Sequence, residues 1–317
     1  MTVRSTIPAP MSGAPAAPAP AAAAAGAGGG VGVGLGGSAL GRAWSDIEAA
    51  VLLVTCLPLE QRLAEAGLPE TERLTRCPKC GQKLLANHHA VLCDACEASP
   101  PPWTALVTLG PYADPLAPIV REIKNRPWPE LADRTGRILG QRLAARLTAA
   151  GVHGPLVLLI PVPTSRLRIL YRGIDHPAAI ARGMCRGLRE LHAEATSPSG
   201  NLTAYLAPLL SRRWRWRQAG LAAWRRKENV QGTMTPPRLG GLTGRFVPTL
   251  SARIARKVAQ ARQQGRPVVA VVVDDVVTTG ATAREACRAG RAALSQQGIS
   301  VRLWWVASVA RADLPSV

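Results

Sequence analysis

The most regular hydrophobic pattern in the chain runs from Pro267 to Val273, where β-branched residues follow one another without alternating with polar ones. A strand that is apolar on both faces is typical of the centre of a parallel sheet covered by helices. Two acids, Asp274 and Asp275, end the run, and a Thr/Gly loop follows at 278–282. Ala281 to Gln297 then has a helical pattern. The pattern predicts a strand–loop–helix unit of an α/β protein.

Strand and helix patterns alternate through the rest of the chain. Strands are predicted at Trp103–Leu109, at Leu156–Ile160 and near residue 300, helices at Leu116–Lys124, Leu131–Ala150 and Pro177–Ala193, and a further strand pair at Ala207–Ser211 and Gly232–Thr235. Such alternation implies βαβ connections and a parallel sheet. An earlier segment, Ser45–Ala66, also has helical periodicity, which Pro58 must kink or divide.

The first 43 or so of the 317 residues are mostly Ala, Pro and Gly with almost no charge. We predict that this tail is disordered, because it has too little apolar surface to bury. The chain then divides into the tail at 1–43, a helical and cysteine-containing segment at 44–102, and an α/β domain at 103–317. No stretch has the pattern of a membrane span or a signal peptide, so we predict a cytoplasmic protein.

The net charge of +19 lies almost entirely outside the tail and predicts a polyanionic partner. Arg dominates over Lys, which suits phosphate contacts, although a high-GC genome also enriches Arg. One basic stretch interleaves Arg213, Arg215 and Arg217 with Trp214 and Trp216. Indoles can stack on the bases of single-stranded DNA while guanidinium groups contact its phosphates. Alternatively, the alternation places both tryptophans on the core-facing side of a strand.

Four of the seven cysteines form two CxxC knuckles separated by twelve residues: Cys77, Cys80, Cys93 and Cys96. This spacing predicts a zinc ribbon. Four thiolates complete the tetrahedral coordination of zinc, so the site is expected to be structural and not catalytic. Disulfides or free thiols are the alternative. His88 and His89 lie between the knuckles and could substitute as ligands.

The acidic pair and the loop after it predict a phosphorylated ribose as ligand, because loop N–H groups, hydroxyls and the helix dipole all favour an anion there. The alternative is an ordinary strand–turn–helix with acidic and Thr caps. A second loop, after the strand at 156–160, holds three candidates for binding a diphosphate: Arg166, Arg168 and Arg172. The alternative is that an individual arginine of this loop is a solvated surface residue.

Residues 271–282, VVVDDVVTTGAT, resemble the phosphoribosyl diphosphate motif of type I phosphoribosyltransferases. The resemblance implies that Asp274 and Asp275 bind the ribose hydroxyls and that Mg²⁺ bridges the diphosphate and the ribose. It also implies that the loop holds the 5′-phosphate through Thr278, Thr279, Gly280, Ala281 and Thr282.

From about Cys77 to Ala310 the chain is similar to the ComF family of competence-associated, phosphoribosyltransferase-like proteins. The similarity rests on the cysteine knuckles, Lys124, the Pro-Val-Pro strand end with Arg172-Gly173, a Gln-to-Asn-Val-Gly segment at 218–232, and the acidic motif. It implies a type I phosphoribosyltransferase-like sheet after a zinc ribbon. The chain departs from the family at Ile174-Asp175-His176, where an aromatic residue, Asn and Gln are usual, and at Arg225, where an acid is usual.

Two functions follow from this resemblance. The first is an enzyme that transfers a phosphoribosyl group between diphosphate and a nucleophile. The second is a non-catalytic DNA-uptake module, associated with single-stranded DNA, that uses the pocket to sense a nucleotide. No residue of the sequence stands out as a general base, since His153, His176 and His192 are candidates only by residue type.

Overall fold

A computed structural model of the chain describes residues 76–84, 92–114, 116–126, 128–194, 202–212, 232–235 and 250–313. These residues belong to one compact unit that begins at Ala43. The predicted tail, the predicted helix Ser45–Ala66, His88 and His89, and most of the Arg/Trp stretch (213–231) lie outside the described residues. The three-part division of the chain therefore stays a prediction.

Strands and helices alternate through the described residues. The strands are β1 (Ala105–Pro111), β2 (Leu156–Pro161), β3 (Thr203–Leu206), β4 (Ser211–Arg212), β5 (Met234–Thr235), β6 (Val268–Val277) and β7 (Leu303–Arg311). The helices are α1 (Asp94–Ala98), α2 (Leu116–Asn125), α3 (Pro129–Ala149), α4 (Arg166–Arg172), α5 (His176–Glu194), α6 (Ala252–Gln263) and α7 (Ala281–Ser295).

Five strands form one sheet in the order β1-β7-β6-β2-β3. Every neighbouring pair in it is parallel, so the predicted α/β class with a parallel sheet is confirmed. Strands β4 and β5 form a separate antiparallel pair. Because all five strands of the main sheet point the same way, their carboxyl ends meet at one edge, where ligands bind in open α/β folds.

Strand β6 lies in the centre of the sheet and is covered on both faces. Val269, Val271 and Val273 pack in the core under α2, α3 and α5. Ala270 and Val272 pack in the opposite core under α6 and α7. The two-residue period of a strand explains this division, and it explains why β6 is apolar at every position up to its acids.

Helices α3 and α5 touch through their backbones. A Cβ atom on Gly183 would lie 1.9 Å from the carbonyl oxygen of Asp133, and one on Gly136 would lie 2.1 Å from that of Ile180. Only glycine permits this approach, because no side chain could fit between the helices. The close packing fixes the position of α5, which begins at His176.

Three details differ from the sequence interpretation. The loop predicted to carry the diphosphate arginines is in part a helix, α4, which begins after Ser165 and ends at Gly173 with φ 73°. Of the predicted pair Ala207–Ser211 and 232–235, only the short β4 and β5 are strands. Strand β6 continues to Val277, because residues 274, 276 and 277 still pair with β7, so both acids lie within the strand.

Candidate functional site

The acidic pair lies near the carboxyl end of the central strand. Asp274 is buried, and its Oδ1 accepts a hydrogen bond from the backbone N–H of Asp275 at 2.9 Å. Oδ1 of Asp275 accepts from the backbone N–H of Val276 at 2.6 Å. Burial, and next the charge of Asp275, raise the pKa of Asp274 well above its usual range. Two adjacent carboxylates with so little water favour a bound cation, a proton or hydroxyl donors.

Lys124 supplies a positive charge at this site. Its Nζ lies 3.5 Å from Oδ2 of Asp275, and both side chains are partly exposed. Lys124 is in the last turn of α2, whose opposite face is buried against the sheet. In the sequence this lysine is marked only by the family resemblance, because its contact with Asp275 joins residues about 150 positions apart.

His176 is a further polar group in this neighbourhood. It is 3% exposed, and its Nε2 has no hydrogen-bond partner among the described residues. Burial lowers the pKa of His176; Asp275 and Asp175 oppose the shift, while Arg172 and Lys124 add to it. Asp175 is held by Thr164, whose hydroxyl donates to it at 2.9 Å. A neutral imidazole therefore faces the charges around the acidic pair.

The Thr/Gly loop joins β6 to α7. Thr278 and Thr279 are exposed, whereas Gly280 is buried and is the N-cap of the helix with φ 75°. A side chain at Gly280 would also meet the ring of Trp103 at 3.2 Å. The N–H groups of Thr282 and Ala283 belong to the first turn of a 15-residue helix, where helical geometry leaves them without intrahelical partners. Such a turn favours an anion.

The three arginines predicted to bind a diphosphate lie on α4. Positions 168 and 172 share one side of the helix, since they are one turn apart, whereas position 166 is on another side. Arg172 is close enough to His176 to influence its titration. The side chain of Arg166 lies outside the described part of the structure. Diphosphate binding by all three arginines stays a prediction, and its nearness to His176 makes Arg172 the strongest candidate.

The four knuckle cysteines converge at one point. Their sulfur atoms all lie within 4.8 Å of one another, and Cys80 Sγ is 3.5 Å from Cys93 Sγ. Tetrahedral zinc with bonds of about 2.3 Å would separate the sulfurs by about 3.8 Å. Leu84 and Leu92 pack against the cluster and shield it from water. The donor set therefore fits a structural metal ion such as zinc.

The electrostatics of the cluster agree with this fit. Burial raises the pKa of Cys80 to about 11 although a backbone hydrogen bond from Gln82 lowers it, and burial also raises the pKa of Cys96. For Cys77, hydrogen bonds from backbone N–H groups outweigh burial and lower the pKa. Four crowded thiols do not all ionise without a cation among them. A bound divalent ion removes this penalty, since thiolates are its ligands.

Two residues that sequence analysis missed connect the knuckle to the Thr/Gly loop. Arg311, the last residue of β7, donates to the carbonyl oxygens of Cys80 and Thr278. Trp103 donates from Nε1 to the carbonyl of Lys79 at 2.7 Å and covers Gly280. Neither stands in a motif; only a run of apolar residues before Arg311 marks it as a strand end.

The fold and these sites define an α/β protein with a parallel sheet, a cysteine cluster able to hold a metal ion, and an acidic pair beside a Thr/Gly loop. No helix of the described residues has the length and apolar character needed to cross a membrane. The predicted cytoplasmic location stays a prediction. No protein-family model matches the chain.

Comparison with characterised proteins places the chain more narrowly. It is 30% identical over 211 residues to the DNA utilization protein YhgH of Shigella flexneri, covering 67% of this chain and 75% of the relative. The YhgH of Escherichia coli K12 is 29% identical over the same shares. That of Salmonella typhimurium is 27% identical over 214 residues, 68% of this chain and 77% of the relative. The chain belongs to the YhgH family.

We predict that the chain binds one zinc ion and that Cys80→Ser abolishes this binding. Loss of one of four thiolates opens the coordination sphere and removes the charge that holds the metal. Metal analysis by plasma mass spectrometry, after metal-free purification and readdition of zinc, measures the stoichiometry.

The matched control is Cys185→Ser, which changes a buried cysteine of α5 outside the cluster. It is expected to keep one zinc per chain. Absence of zinc from the unmodified protein after readdition, or equal zinc in both variants, would contradict the assignment.

A second prediction concerns pH. Because the pKa of His176 is lowered in the folded protein, the unfolded chain takes up a proton near pH 6.5 while the folded protein does not. Stability is therefore retained above pH 6.5 and lost as the pH falls toward the folded pKa, by up to about 1.4 kcal/mol per pH unit. His176→Gln removes this contribution. Urea unfolding at several pH values between 5 and 7.5 measures the unfolding free energy. Its slope against pH is expected to be shallower for the variant.

His153→Gln is the control, because His153 is exposed. It is expected to leave the slope of the unmodified protein unchanged. Equal slopes for His176→Gln and the unmodified protein would contradict a neutral, buried imidazole.

Proposed function

We propose that this protein acts in DNA utilization and carries a pocket for a ribose 5-phosphate unit, such as that of phosphoribosyl diphosphate. The observation that carries the proposal is the junction of β6 and α7, where buried Asp274 and partly exposed Asp275 precede an anion-favouring loop on one sheet edge. The names of the YhgH relatives support the DNA-related role.

The chemistry of the pocket suits a ribose. Asp275 and Asp274 are acceptors for two neighbouring hydroxyls, and charged acceptors form the stronger hydrogen bonds. The loop and the first turn of α7 offer N–H groups and Thr hydroxyls to a phosphate. We include Mg²⁺ in the proposal because acids, ribose oxygens and a diphosphate provide the oxygen ligands that it prefers.

A second candidate function is transfer of the phosphoribosyl group. The diphosphate would leave C1 of the ribose while a nucleophile bonds to that carbon, and Lys124 and Arg172 are cations suited to the departing charge. The family resemblance supports this candidate. The DNA-related names of the relatives favour a binding module, so we rank transfer second; release of diphosphate from phosphoribosyl diphosphate would reverse this order.

If Asp275 accepts from a ribose hydroxyl, Asp275→Asn is expected to weaken binding of ribose 5-phosphate about tenfold to a hundredfold. The amide keeps the volume but loses a charge-assisted hydrogen bond worth about 1.5 to 3 kcal/mol. The fold is expected to remain stable, because the change also removes the charge beside buried Asp274. Titration calorimetry with magnesium present measures the affinity.

Glu190→Gln is the matched control. It removes the same charge from α5 at a point about 21 Å along the helix from His176. Its affinity is expected to equal that of the unmodified protein. If the unmodified protein binds neither ribose 5-phosphate nor phosphoribosyl diphosphate at millimolar concentration, the pocket proposal is wrong.

The DNA-related role makes a separate prediction about the basic stretch. Replacing Arg213, Arg215 and Arg217 with Gln is expected to weaken binding of single-stranded DNA and to reduce the slope of log affinity against log salt by about 2, since each phosphate contact contributes about 0.7. Fluorescence anisotropy with a labelled oligonucleotide, at several salt concentrations, measures both quantities.

A triple replacement of Arg253, Arg256 and Lys257 with Gln is the control. These exposed residues of α6 carry the same total charge. Equal losses in both triple variants would indicate a diffuse charge effect and argue against a binding surface at 213–217. Binding that does not weaken with salt would also argue against phosphate contacts by these arginines.

A further inference from the structure

The strongest feature outside the proposed ligand contacts is the buried guanidinium of Arg311. The residue is 4% exposed. Its Nε donates to the carbonyl oxygen of Cys80 at 2.7 Å, and its Nη2 donates to Oε1 of Gln82 at 3.0 Å. Its Nη1 donates to the carbonyl oxygens of Val277, at 3.3 Å, Thr278 and Ala312. One side chain therefore contacts both the first cysteine knuckle (Cys77–Cys80, with Gln82 just after it) and the Thr/Gly loop.

On the knuckle side, the partners of Arg311 adjoin a metal-ligating cysteine. Cys80 is itself a member of the cluster, and the backbone N–H of Gln82 donates to its sulfur at 3.5 Å. The backbone carbonyl of Gln82 accepts from the N–H of Cys77 at 2.9 Å. The position of these acceptors depends on the turn that carries Cys77 and Cys80.

On the loop side, Arg311 binds carbonyl oxygens at the start of the Thr/Gly loop. A guanidinium that holds the carbonyls of Val277 and Thr278 fixes the orientation of those peptide groups. This fixed geometry favours an anion at the loop, because the N–H groups that would bind it are already oriented.

Trp103 makes a second connection between the same two segments. It is 5% exposed, and its indole N–H donates to the carbonyl of Lys79, between Cys77 and Cys80. Its ring lies against Gly280, and the guanidinium of Arg284 in the first turn of α7 stacks 5.7 Å from the ring centroid. A polar and an apolar contact thus link the knuckle to the loop independently.

We propose that Arg311 is a positioning residue which couples the cysteine cluster to the Thr/Gly loop, so that metal occupancy of the cluster sets the affinity of the loop for a phosphate group. This inference rests on the proposed function for its ligand. It assigns to the ribbon a role in ligand binding in addition to the stability of its own turn.

The test combines two changes, Arg311→Met and removal of zinc, in a thermodynamic cycle with ribose 5-phosphate as the probe. Affinity is measured by calorimetry for the unmodified protein and for Arg311→Met, each with zinc bound and after chelation. We expect Arg311→Met to retain one zinc but to bind about tenfold more weakly, because it loses hydrogen bonds made by a charged group. Removal of zinc by chelation should weaken the binding of ribose 5-phosphate by the unmodified protein to a similar extent, and its binding by the variant much less. Independent, multiplicative losses would overturn the coupling.

Arg302→Met is the matched control, because Arg302 is exposed and precedes the opposite end of β7. It is expected to respond to chelation as the unmodified protein does. If Arg311→Met fails to fold or chelation unfolds the sheet, zinc-loaded Arg311→Lys and Arg302→Lys replace the cycle. Weaker binding only in Arg311→Lys supports the positioning role of Arg311, and equal affinities overturn it; the dependence on zinc is then tested by hydrogen exchange.

Hydrogen exchange separates failure of this inference from failure of the proposed function. Zinc removal is expected to speed exchange of the amides at 278–282 while those of β6 stay protected, whether or not a ligand binds. If zinc-loaded protein binds no ribose 5-phosphate but its loop responds to zinc, the pocket proposal fails and the structural link remains. Unchanged loop exchange after zinc removal would overturn the link itself.

Discussion

Every group in the candidate site depends on the parallel alignment of five strands. Because β2, β6 and β7 end at the same edge, Asp275 on β6, Arg311 on β7 and the segment from Thr164 to His176 after β2 meet there. An antiparallel neighbour would have sent its loop to the opposite edge. The buried, β-branched pattern of β6 is thus the cause both of the fold and of the place of the site.

The same edge concentrates charge in a region with little water. The charge of the acidic pair is opposed by Lys124, while His176, which also lies near Arg172, stays neutral because it is buried. The raised pKa of Asp274 means that the pair binds protons readily without a ligand. Hydroxyl donors, or a cation bound with them, would stabilise the two carboxylates against their mutual repulsion and the burial of Asp274. This electrostatic argument for a ligand is independent of the motif.

Local patterns predicted the parts of this structure that depend on local sequence. The strand–loop–helix unit at 267–297 and the convergence of four cysteines each follow from residues within about thirty positions of one another. Helix α6 was missed because its buried side is small, with only Val258 and Ala261 fully buried among many charged residues. Helix α4 was missed because its arginines, framed by Pro163 and Gly173, have the composition of a loop. Contacts such as Lys124 with Asp275, or Arg311 with Cys80, join distant segments and have no signature in a single sequence.

The DNA-related role and the ribose pocket fit together if they use different surfaces. An acidic pair that accepts from two neighbouring hydroxyls suits a ribose with a free 2′-hydroxyl, which DNA lacks. It also repels a phosphate backbone that approaches without a cation. The chain has a net charge of +19, and basic segments such as 213–217 are better suited to contact the phosphates of DNA. On this argument the proposed pocket would take a small phosphorylated ribose, and DNA would contact a different surface of the same protein.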